Sequence, residues 1–244
     1  MGTTPYNIKK NIIEIRKAIP SSVCILAAAK KRTSEEIGAA IGAGVRFLGE
    51  NYVQEAEEKY GKLKGQGTLK GELHLIGHLQ KNKVGKALKV FDCIQTVDSL
   101  ELAQEISRRA QKPFPILIQV NIGREPQKSG CAPEDTPSLV KKISHLPNIL
   151  VKGLMAMAPH VENPEDARVY FREMKGLFDG ICDGKTTGTN NETKEKTTKN
   201  GQTHEPANVK MDILSMGMSH DYKVAVEEGA TMIRLGESIF GKRR

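Results

Sequence analysis

Lys30 is the residue whose type and position most directly suggest chemistry. It follows the apolar run Val23–Ala29 and precedes a polar segment of helical character. Such a run predicts the first buried strand of an α/β fold, and in (β/α)8 barrels the carboxyl ends of strands carry the reactive groups. A desolvated lysine there, with Lys31 and Arg32 beside it, is easier to deprotonate and a better nucleophile. The chemistry that this suggests is a Schiff base with an aldehyde. Taken alone, a lysine at this position is more often a strand-end lysine in solvent, so the Schiff-base interpretation depends on the rest of the chain.

Two loops near the carboxyl end suggest where a phosphate would bind. Each follows an apolar run of strand length, and they cover Leu214–Asp221 and Ile233–Ser238. Gly217 lets the backbone approach a ligand closely, and Gly236 opens the turn after the last run. Barrels often bind phosphate with the loops after strands seven and eight. The alternative for each loop taken alone is ordinary turn and capping chemistry.

Ser219 and Arg234 add polar groups to the same region. Ser219 is positioned to cap the helix that follows the first loop. Arg234 lies on the last predicted strand and is expected to point inward. With Lys30 across the barrel mouth, the arrangement predicts a site for an aldehyde that carries a phosphate.

Motifs for other chemistries do not fit. His74 and His78 are four residues apart, which suits a zinc pair on a helix, but they fall on a predicted strand and its following loop. The chain contains no HExxH pattern, no Gly-x-Ser-x-Gly elbow, no Walker A motif and no dinucleotide fingerprint. We therefore predict no metal site and no hydrolase triad.

The elements that must position these residues alternate regularly along the chain. Eight apolar runs of strand length are separated by amphipathic stretches, a pattern typical of a parallel barrel. An amphipathic segment at Asn7–Ile19 predicts an extra helix before the first strand. The predicted strands are Val23–Ala29, Val45–Leu48, Leu73–Ile76, Val90–Ile94, Pro115–Asn121, Leu150–Ala156, Met211–Met216 and Ala230–Leu235. The fold class is α/β, a TIM-type barrel formed by one domain over residues 1–244.

One segment interrupts the alternation. Asp183–Pro206 contains no aliphatic, aromatic, methionine or cysteine residue and is rich in Thr, Lys, Asn and Gly. Because such a composition cannot bury much apolar surface, it predicts a flexible insert. It precedes the seventh strand, at the barrel end opposite the active face. A regulatory role, in which the insert docks another protein, is the alternative.

The composition of the chain bears on which partners the protein is expected to bind and on its cellular compartment. The net charge is +8, but basic residues are mixed with acids and form no stripe with aromatics, so nucleic acid binding is not expected. No apolar segment has the length of a membrane helix and no signal peptide precedes the first element. The four cysteines form no CxxC pair, which favours free thiols in the cytoplasm.

Several longer motifs, taken together, resemble a known family. The chain is similar to the YggS/PROSC-type pyridoxal phosphate homeostasis proteins, whose fold is like the N-terminal domain of alanine racemase. The resemblance covers nearly the whole chain outside the polar insert. The motifs are FLGENYVQE at 47–55, HLIGHLQKNK at 74–83, QVN at 119–121, KSG at 128–130, GLMAM at 153–157, SMGMS at 215–219 and RLGESIFG at 234–241.

The resemblance implies a role for each candidate residue. Lys30 would form the internal aldimine with pyridoxal 5′-phosphate (PLP), and Arg234 would face the pyridine nitrogen. A cation there disfavours protonation of the ring and weakens the cofactor as an electron sink. The other positions would hold the phosphate or lie along the ring. They are Ser215, Gly217, Ser219 and Gly236 for the phosphate, and Asn51, His74 and Ile76 for the ring.

The chain departs from the family pattern around Lys30 and at Glu237. Ala29 stands where the family usually has serine, and Lys31 with Arg32 adds charge after the aldimine lysine. Lys31 is a second candidate amine, expected on the opposite side of a strand from Lys30. Glu237 replaces a threonine, so the backbone amides are expected to hold the phosphate while the carboxylate turns outward.

The resemblance implies a monomeric, cytoplasmic protein that holds PLP reversibly and buffers or delivers it to PLP-dependent enzymes. We expect no robust catalysis, because Lys30 is the one clear proton-transfer group and the second domain that gives alanine racemase its opposing tyrosine is missing. Two enzyme functions stay open. One is a weak PLP-dependent amino-acid racemase, and the other is a cofactor-free Schiff-base aldolase that uses Lys30.

Overall fold

The computed structural model describes residues 5–65, 70–184 and 208–242. Its strands form a closed barrel in chain order, in which the last strand pairs with the first, and every neighbouring pair is parallel. The strands are β1 Cys24–Ala28, β2 Phe47–Glu50, β3 Glu72–Leu75, β4 Cys93–Val97, β5 Phe114–Val120, β6 Ile149–Ala156, β7 Val209–Ser215 and β8 Met232–Leu235.

Helices connect successive strands, and one precedes the barrel. Short 3-10 turns at Lys81–Lys83, Pro133–Asp135 and Pro164–Ala167 lead into three of them. The helices are α1 Pro5–Lys17, α2 Ser34–Gly42, α3 Val53–Gly65, α4 Val84–Val90, α5 Leu100–Arg109, α6 Thr136–Ile143, α7 Arg168–Cys182, α8 Tyr222–Glu227 and α9 Glu237–Phe240. The predicted α/β barrel with its additional N-terminal helix is confirmed.

Helix α2 begins at Ser34 and is capped by Thr33, with Glu36 completing a reciprocal capping box. The capping role predicted for Ser219 was wrong. Ser219 does not cap α8, because that helix begins at Tyr222, three residues later. The Ser219 hydroxyl instead accepts a hydrogen bond from the Ser238 amide, which ties together the loops after β7 and β8.

The core is mainly aliphatic, as the low aromatic content requires. The outward-facing strand residues and the inner helix faces form one large buried cluster. Inside the barrel a smaller apolar cluster contains Cys93, Leu117 and Met155. Helix α1 packs against α2 and α9, and Asn11 Nδ2 donates to the Ile239 carbonyl at 2.9 Å. This packing covers the seam where β8 meets β1.

The predicted polar insert lies outside the described residues from position 185 to its end. The described chain leaves the barrel after α7 and returns at β7, so the segment joins these elements at the amino-terminal end of β7. Among the described helices, none combines the length and apolar character that a membrane crossing requires.

Candidate functional site

Lys30 lies in a tight turn two residues beyond the end of β1. The Ala29 amide donates to the Gly49 carbonyl of β2 at 2.8 Å, and the Arg32 amide closes the turn onto the Ala29 carbonyl at 2.9 Å. The half-buried Lys30 side chain places its Nζ 5.0 Å from the centre of the Tyr52 ring. The amine therefore stands at the carboxyl end of the barrel beside an aromatic face.

Lys31, the second candidate amine, is an exposed residue in a left-handed conformation with φ of 59°. It does not belong to a strand, contrary to the expected strand geometry. Its backbone amide donates to Glu55 Oε1 at 2.7 Å. Partial burial raises the pKa of Glu55, but hydrogen bonds from Lys59 and from this amide outweigh it and bring that pKa below its ordinary value. The carboxylate is therefore charged where it accepts the Lys31 amide.

Lys59 forms the centre of a polar cluster beneath the Lys30 turn. Its Nζ donates to the Ala29 carbonyl at 3.1 Å, to Glu50 Oε1 at 3.1 Å and to Glu55 Oε1 at 2.7 Å. Glu50 is fully buried and also accepts the Tyr60 hydroxyl at 3.1 Å. Burial raises the pKa of Glu50, although Lys59 opposes this shift. The cluster ties the end of β2 and helix α3 to the turn after β1.

Arg234 points into the barrel, as predicted. It is buried, and it donates through Nη1 to Ser215 Oγ and through Nη2 to the Ala156 carbonyl, both at 2.8 Å. Burial lowers the pKa of Arg234 to about 10, partly offset by Asp221. Since this value lies well above neutral pH, the guanidinium keeps its charge.

A chain of side-chain hydrogen bonds continues from Arg234 through the barrel. Ser215 Oγ donates to Gln95 Oε1 at 2.8 Å, and Gln95 Nε2 lies 2.8 Å from His74 Nδ1. With the amide donating to Nδ1, the His74 proton is assigned to Nε2, 3.5 Å from Glu72 Oε2. Each member of the chain thus depends on the next for its orientation.

The two loops predicted to bind phosphate are adjacent. Gly217 has φ of 90° and lies so close to α8 that a Cβ would overlap Ala225. Gly236 lies beside the end of β1, where a Cβ would stand 3.6 Å from the Ala28 carbonyl oxygen. Within the described residues, the amides of Ser219 and Gly236 have no acceptor, nor does that of His220. Free amides next to a close-packed glycine form a cradle that suits an anion.

The remaining candidate residues, Asn51 and Ile76, lie beside the Lys30 turn on the side of strands β2 and β3. Asn51 is half-buried and follows β2, and Ile76 follows β3 with its side chain against Gly49. Gly77 lies against the Asn51 backbone, where a Cβ would overlap its carbonyl oxygen. Asn51 and Ile76 are therefore fixed by close backbone packing at neighbouring strand ends.

The strand order brings the candidate residues together. Pairing of β8 with β1, β1 with β2, and β2 with β3 places Gly236, Lys30, Asn51 and Ile76 in sequence around the same end of the barrel. His74 differs, because its ring is buried in the interior. The Ser215 hydroxyl is likewise fully buried, and it bonds to Gln95 and Arg234 rather than to the open loops.

The sequence interpretation missed two groups of residues. Gln95 is a polar residue within the apolar run of β4, and that contrast was the available signal. Glu50, Glu55 and Lys59 lie in or just after a quoted motif, and the four-residue spacing of the last two predicts a helical ion pair. Their contact with the Lys30 turn could not be derived from spacing.

An amine, a buried cation and a set of free amides thus meet at one barrel end. An aldehyde, a ring nitrogen and a phosphate are the complementary groups. The residues present therefore fit PLP.

Comparison with known proteins agrees with this geometry. The family model "Alanine racemase, N-terminal domain" matches residues 5–244. The chain is 39% identical to the pyridoxal phosphate homeostasis protein of Aquifex aeolicus over 90% of its length and 87% of that protein. The Pseudomonas aeruginosa protein of the same name is 34% identical and covers 100% of this chain and 97% of its own.

Solved structures show the same relationship. PipY of Synechococcus elongatus, determined with PLP bound, has 30% identity and a TM-score of 0.79 over 96% of this chain and 100% of its own. An alanine racemase from E. faecalis, 15% identical, matches 99% of this chain with 59% of its own at a TM-score of 0.69, and this likeness concerns the fold alone. The chain belongs to the pyridoxal phosphate homeostasis protein family, built on the alanine racemase N-terminal domain.

Proposed function

We propose that this protein binds PLP reversibly through Lys30 and takes part in intracellular PLP homeostasis, as a buffer or donor of the cofactor. The observation that carries the proposal is the pairing of β1 with β8, which sets the Lys30 turn beside Gly236 and Arg234. The PLP-bound relative from Synechococcus elongatus and the names of the curated relatives support it.

Each part of the cofactor has a complementary group. Lys30 would supply the amine for the aldehyde carbon, and the Arg234 guanidinium would face the ring nitrogen. The free amides of Ser219 and Gly236, with the close approach allowed at Gly217, hold the phosphate. Ser215 supports the site through Arg234. When bound, PLP supplies an electrophilic aldehyde carbon that amines attack.

The ring is supported from the β2 and β3 side. Asn51 and Ile76 line it at the strand ends, and His74 acts from the interior through the hydrogen-bonded chain that reaches Arg234. In this assignment His74 orients the site rather than contacting the ring.

The same groups favour exchange over turnover. Arg234 keeps its charge at neutral pH, which disfavours a proton on the ring nitrogen and limits carbanion stabilisation. Lys30 is the proton-transfer group that we assign, and racemisation needs a second one opposed to it. We therefore propose no robust catalytic activity.

Absorption spectroscopy tests the cofactor assignment directly. The wild type incubated with PLP should show a visible band, and borohydride should fix the cofactor on Lys30 in the peptide map. Lys30→Ala should remove the band, whereas the neighbouring Lys31→Ala is the matched control and should keep it. A colourless wild type would contradict the proposal and leave the cofactor-free aldolase to be tested.

We further propose that the protein is a monomer and acts in the cytoplasm, where its four cysteines stay reduced. Light scattering should give a mass near 26.8 kDa. Its partners would be PLP-dependent enzymes that accept the cofactor. Incubation of the loaded protein with such an apoenzyme should restore activity, and a trap for free PLP distinguishes direct delivery from release into solution.

A further inference from the structure

The turn that carries Lys30 is held on both sides by a single helix. Lys59 on α3 donates to the carbonyl of Ala29, the residue before Lys30. Glu55, one helical turn earlier, accepts the amide of Lys31, the residue after it. The two α3 side chains also bond to each other at 2.7 Å. Thus the peptide units flanking Lys30 are fixed, while its own side chain is left to contact Tyr52.

The conformation of the turn shows that it needs this support. Lys31 has φ of 59°, a left-handed value that costs energy for any residue with a Cβ. Strained conformations of this kind persist where surrounding contacts over-determine them, and they concentrate at functional sites. The amide of Lys31 is the group that Glu55 binds, so the hydrogen bond offsets the strain where it arises.

The Glu55–Lys59 pair is itself anchored. Lys59 has 19% of its side chain exposed, and the buried Glu50 carboxylate holds its ammonium from below. Tyr60 donates to the same Glu50 oxygen and fixes its position. On the far side of the turn, Arg32 donates to the Gly241 carbonyl at 2.5 Å. The turn is consequently pinned between α3 and the segment after α9.

We propose that Glu55 and Lys59 are positioning residues for Lys30: they hold the Ala29–Lys31 turn so that its amine is presented to the aldehyde of PLP. This inference rests on the proposed function and deepens it. The pair touches neither ring nor phosphate in our assignment, so it governs how fast the covalent bond forms and leaves non-covalent affinity unchanged.

Glu55→Ala is the sharpest test, because Glu55 is partly exposed and its loss leaves Glu50 and Lys59 paired. Attachment of PLP, followed by stopped-flow absorbance, should slow by at least about 10-fold, since displacing a reacting group by about 1 Å can cost 10²-fold. Glu55→Gln keeps an acceptor oxygen and should recover most of the rate. Asp179→Ala is the matched control, since it removes an exposed i,i+4 partner of Lys175 on α7.

Binding of pyridoxine 5′-phosphate distinguishes a specific effect on the position of Lys30 from general disruption of the site. This analogue carries the ring and the phosphate but has an alcohol in place of the aldehyde, so Lys30 cannot bond to it. Its dissociation constant, measured by calorimetry, should be the same in the wild type and in Glu55→Ala. A parallel loss of analogue affinity would mean that the whole site has collapsed, and would overturn the positioning role.

Amide exchange of Lys31 gives a readout that needs no cofactor. In the unliganded protein the Lys31 N–H should exchange slowly with D2O because Glu55 binds it. Exchange should become at least about 10-fold faster in Glu55→Ala and stay unchanged in Asp179→Ala. Equal exchange in Glu55→Ala and the wild type would contradict the positioning role even if PLP attaches to Lys30.

Different experimental results would therefore contradict the proposed function and the positioning role of Glu55 and Lys59. A wild type without Lys30-linked PLP contradicts the proposed function, and Lys31 exchange still decides whether Glu55 holds the turn. Normal attachment in the wild type with an unaltered rate in Glu55→Ala contradicts the positioning role alone. Lys59→Met leaves Glu50 buried without its cation, so this variant serves as a second test only if circular dichroism shows it folded.

Discussion

Glu50 shows how a single buried carboxyl makes stability depend on pH. It has no exposed surface, and its Oε2 has no hydrogen-bond partner among the described residues. Burial raises its pKa in the folded protein above that in the unfolded chain, with Lys59 opposing the shift. The folded state thus binds the proton more tightly. This proton binding stabilises the folded state fully at pH values below the ordinary glutamate pKa of about 4.3. The stabilisation is lost as the pH rises through the pKa of Glu50 in the folded protein.

Glu50→Gln should remove this titration. The free energy of unfolding of the variant, relative to wild type, should therefore increase as the pH is raised from about 4 to about 8. Urea unfolding at a series of pH values measures both curves. Curves that run parallel across this range would show that Glu50 has the same pKa in the folded and unfolded states.

Gln95→Leu tests the hydrogen-bonded chain behind Arg234. Leucine is of similar size but makes no hydrogen bonds, so the Ser215 hydroxyl would lose its acceptor and His74 Nδ1 its donor. We expect a loss of about 1–3 kcal/mol in the free energy of unfolding, from urea titration. Gln111→Leu, at an exposed position, is the control and should stay within about 0.5 kcal/mol of wild type. An equal effect of both substitutions would mean that the hydrogen-bonded side chains behind Arg234 do not contribute to the stability of the fold.

At the residue scale, prediction succeeded for positions that follow from the strand pattern. Lys30 and Arg234 could be located because strand ends and inward positions follow from the alternation of elements. Gln95 could not, because it bonds to Ser215, 120 residues away. A partner so distant is set by the closure of the barrel, which local patterns do not encode.

Among the elements, β6 and β7 meet at a glycine that no other residue can replace. Gly153 has φ of 146°, and the register shifts between Val151 and Gly153. A Cβ at this position would overlap the carbonyl oxygen of Ile213 on the neighbouring strand. The bulge therefore depends on the absence of a side chain.

Gly153→Ala should separate the backbones of β6 and β7. We expect a loss of at least about 2 kcal/mol in the free energy of unfolding, seen as a lower Tm in calorimetry. Gly38→Ala, in an exposed turn of α2 with nothing within 4 Å, is the control and should be neutral or stabilising by up to about 1 kcal/mol. An unchanged Tm for Gly153→Ala would show that the sheet relaxes freely at this point.

Element boundaries were predictable where a local signal exists. The amphipathic stretch that follows the first predicted strand is helix α2, Ser34–Gly42, and proline opens the turns at Pro133 and Pro164. The helix predicted from Ser219 begins later, because the polar residues before Tyr222 form the loop. The four-residue α9 was missed, since one helical turn has no periodicity to detect.

At the scale of the whole molecule, the candidate site and the connection from α7 to β7 lie at opposite ends of the barrel. Lys30, Arg234 and the free amides belong to the loops at the carboxyl ends of the strands. Helix α7 ends at Cys182 and β7 begins at Val209, so the connection between them joins the opposite end. Alternation of elements was enough to predict this division.

Replacing residues 185–206 by a short Gly/Ser linker should leave cofactor binding intact. PLP affinity, from titration of the visible band, should stay within about 3-fold of wild type, because changes in polar connecting segments far from a site are usually tolerated. Circular dichroism reports whether the barrel is retained. Loss of PLP binding with an intact barrel would assign the segment a part in the site, and loss of partner binding alone would support a docking role.

Closure of β8 onto β1 also determines when the site comes into existence during protein synthesis. Arg32 and Gly241, which contact each other across this seam, are 209 residues apart. At about 5–20 residues per second, the ribosome needs roughly 10–40 s to make the chain between them. Throughout that interval Lys30 has neither Arg234 nor the Gly236 loop beside it. An unfinished chain therefore lacks the assembled site, and that site forms only with a nearly complete translation product.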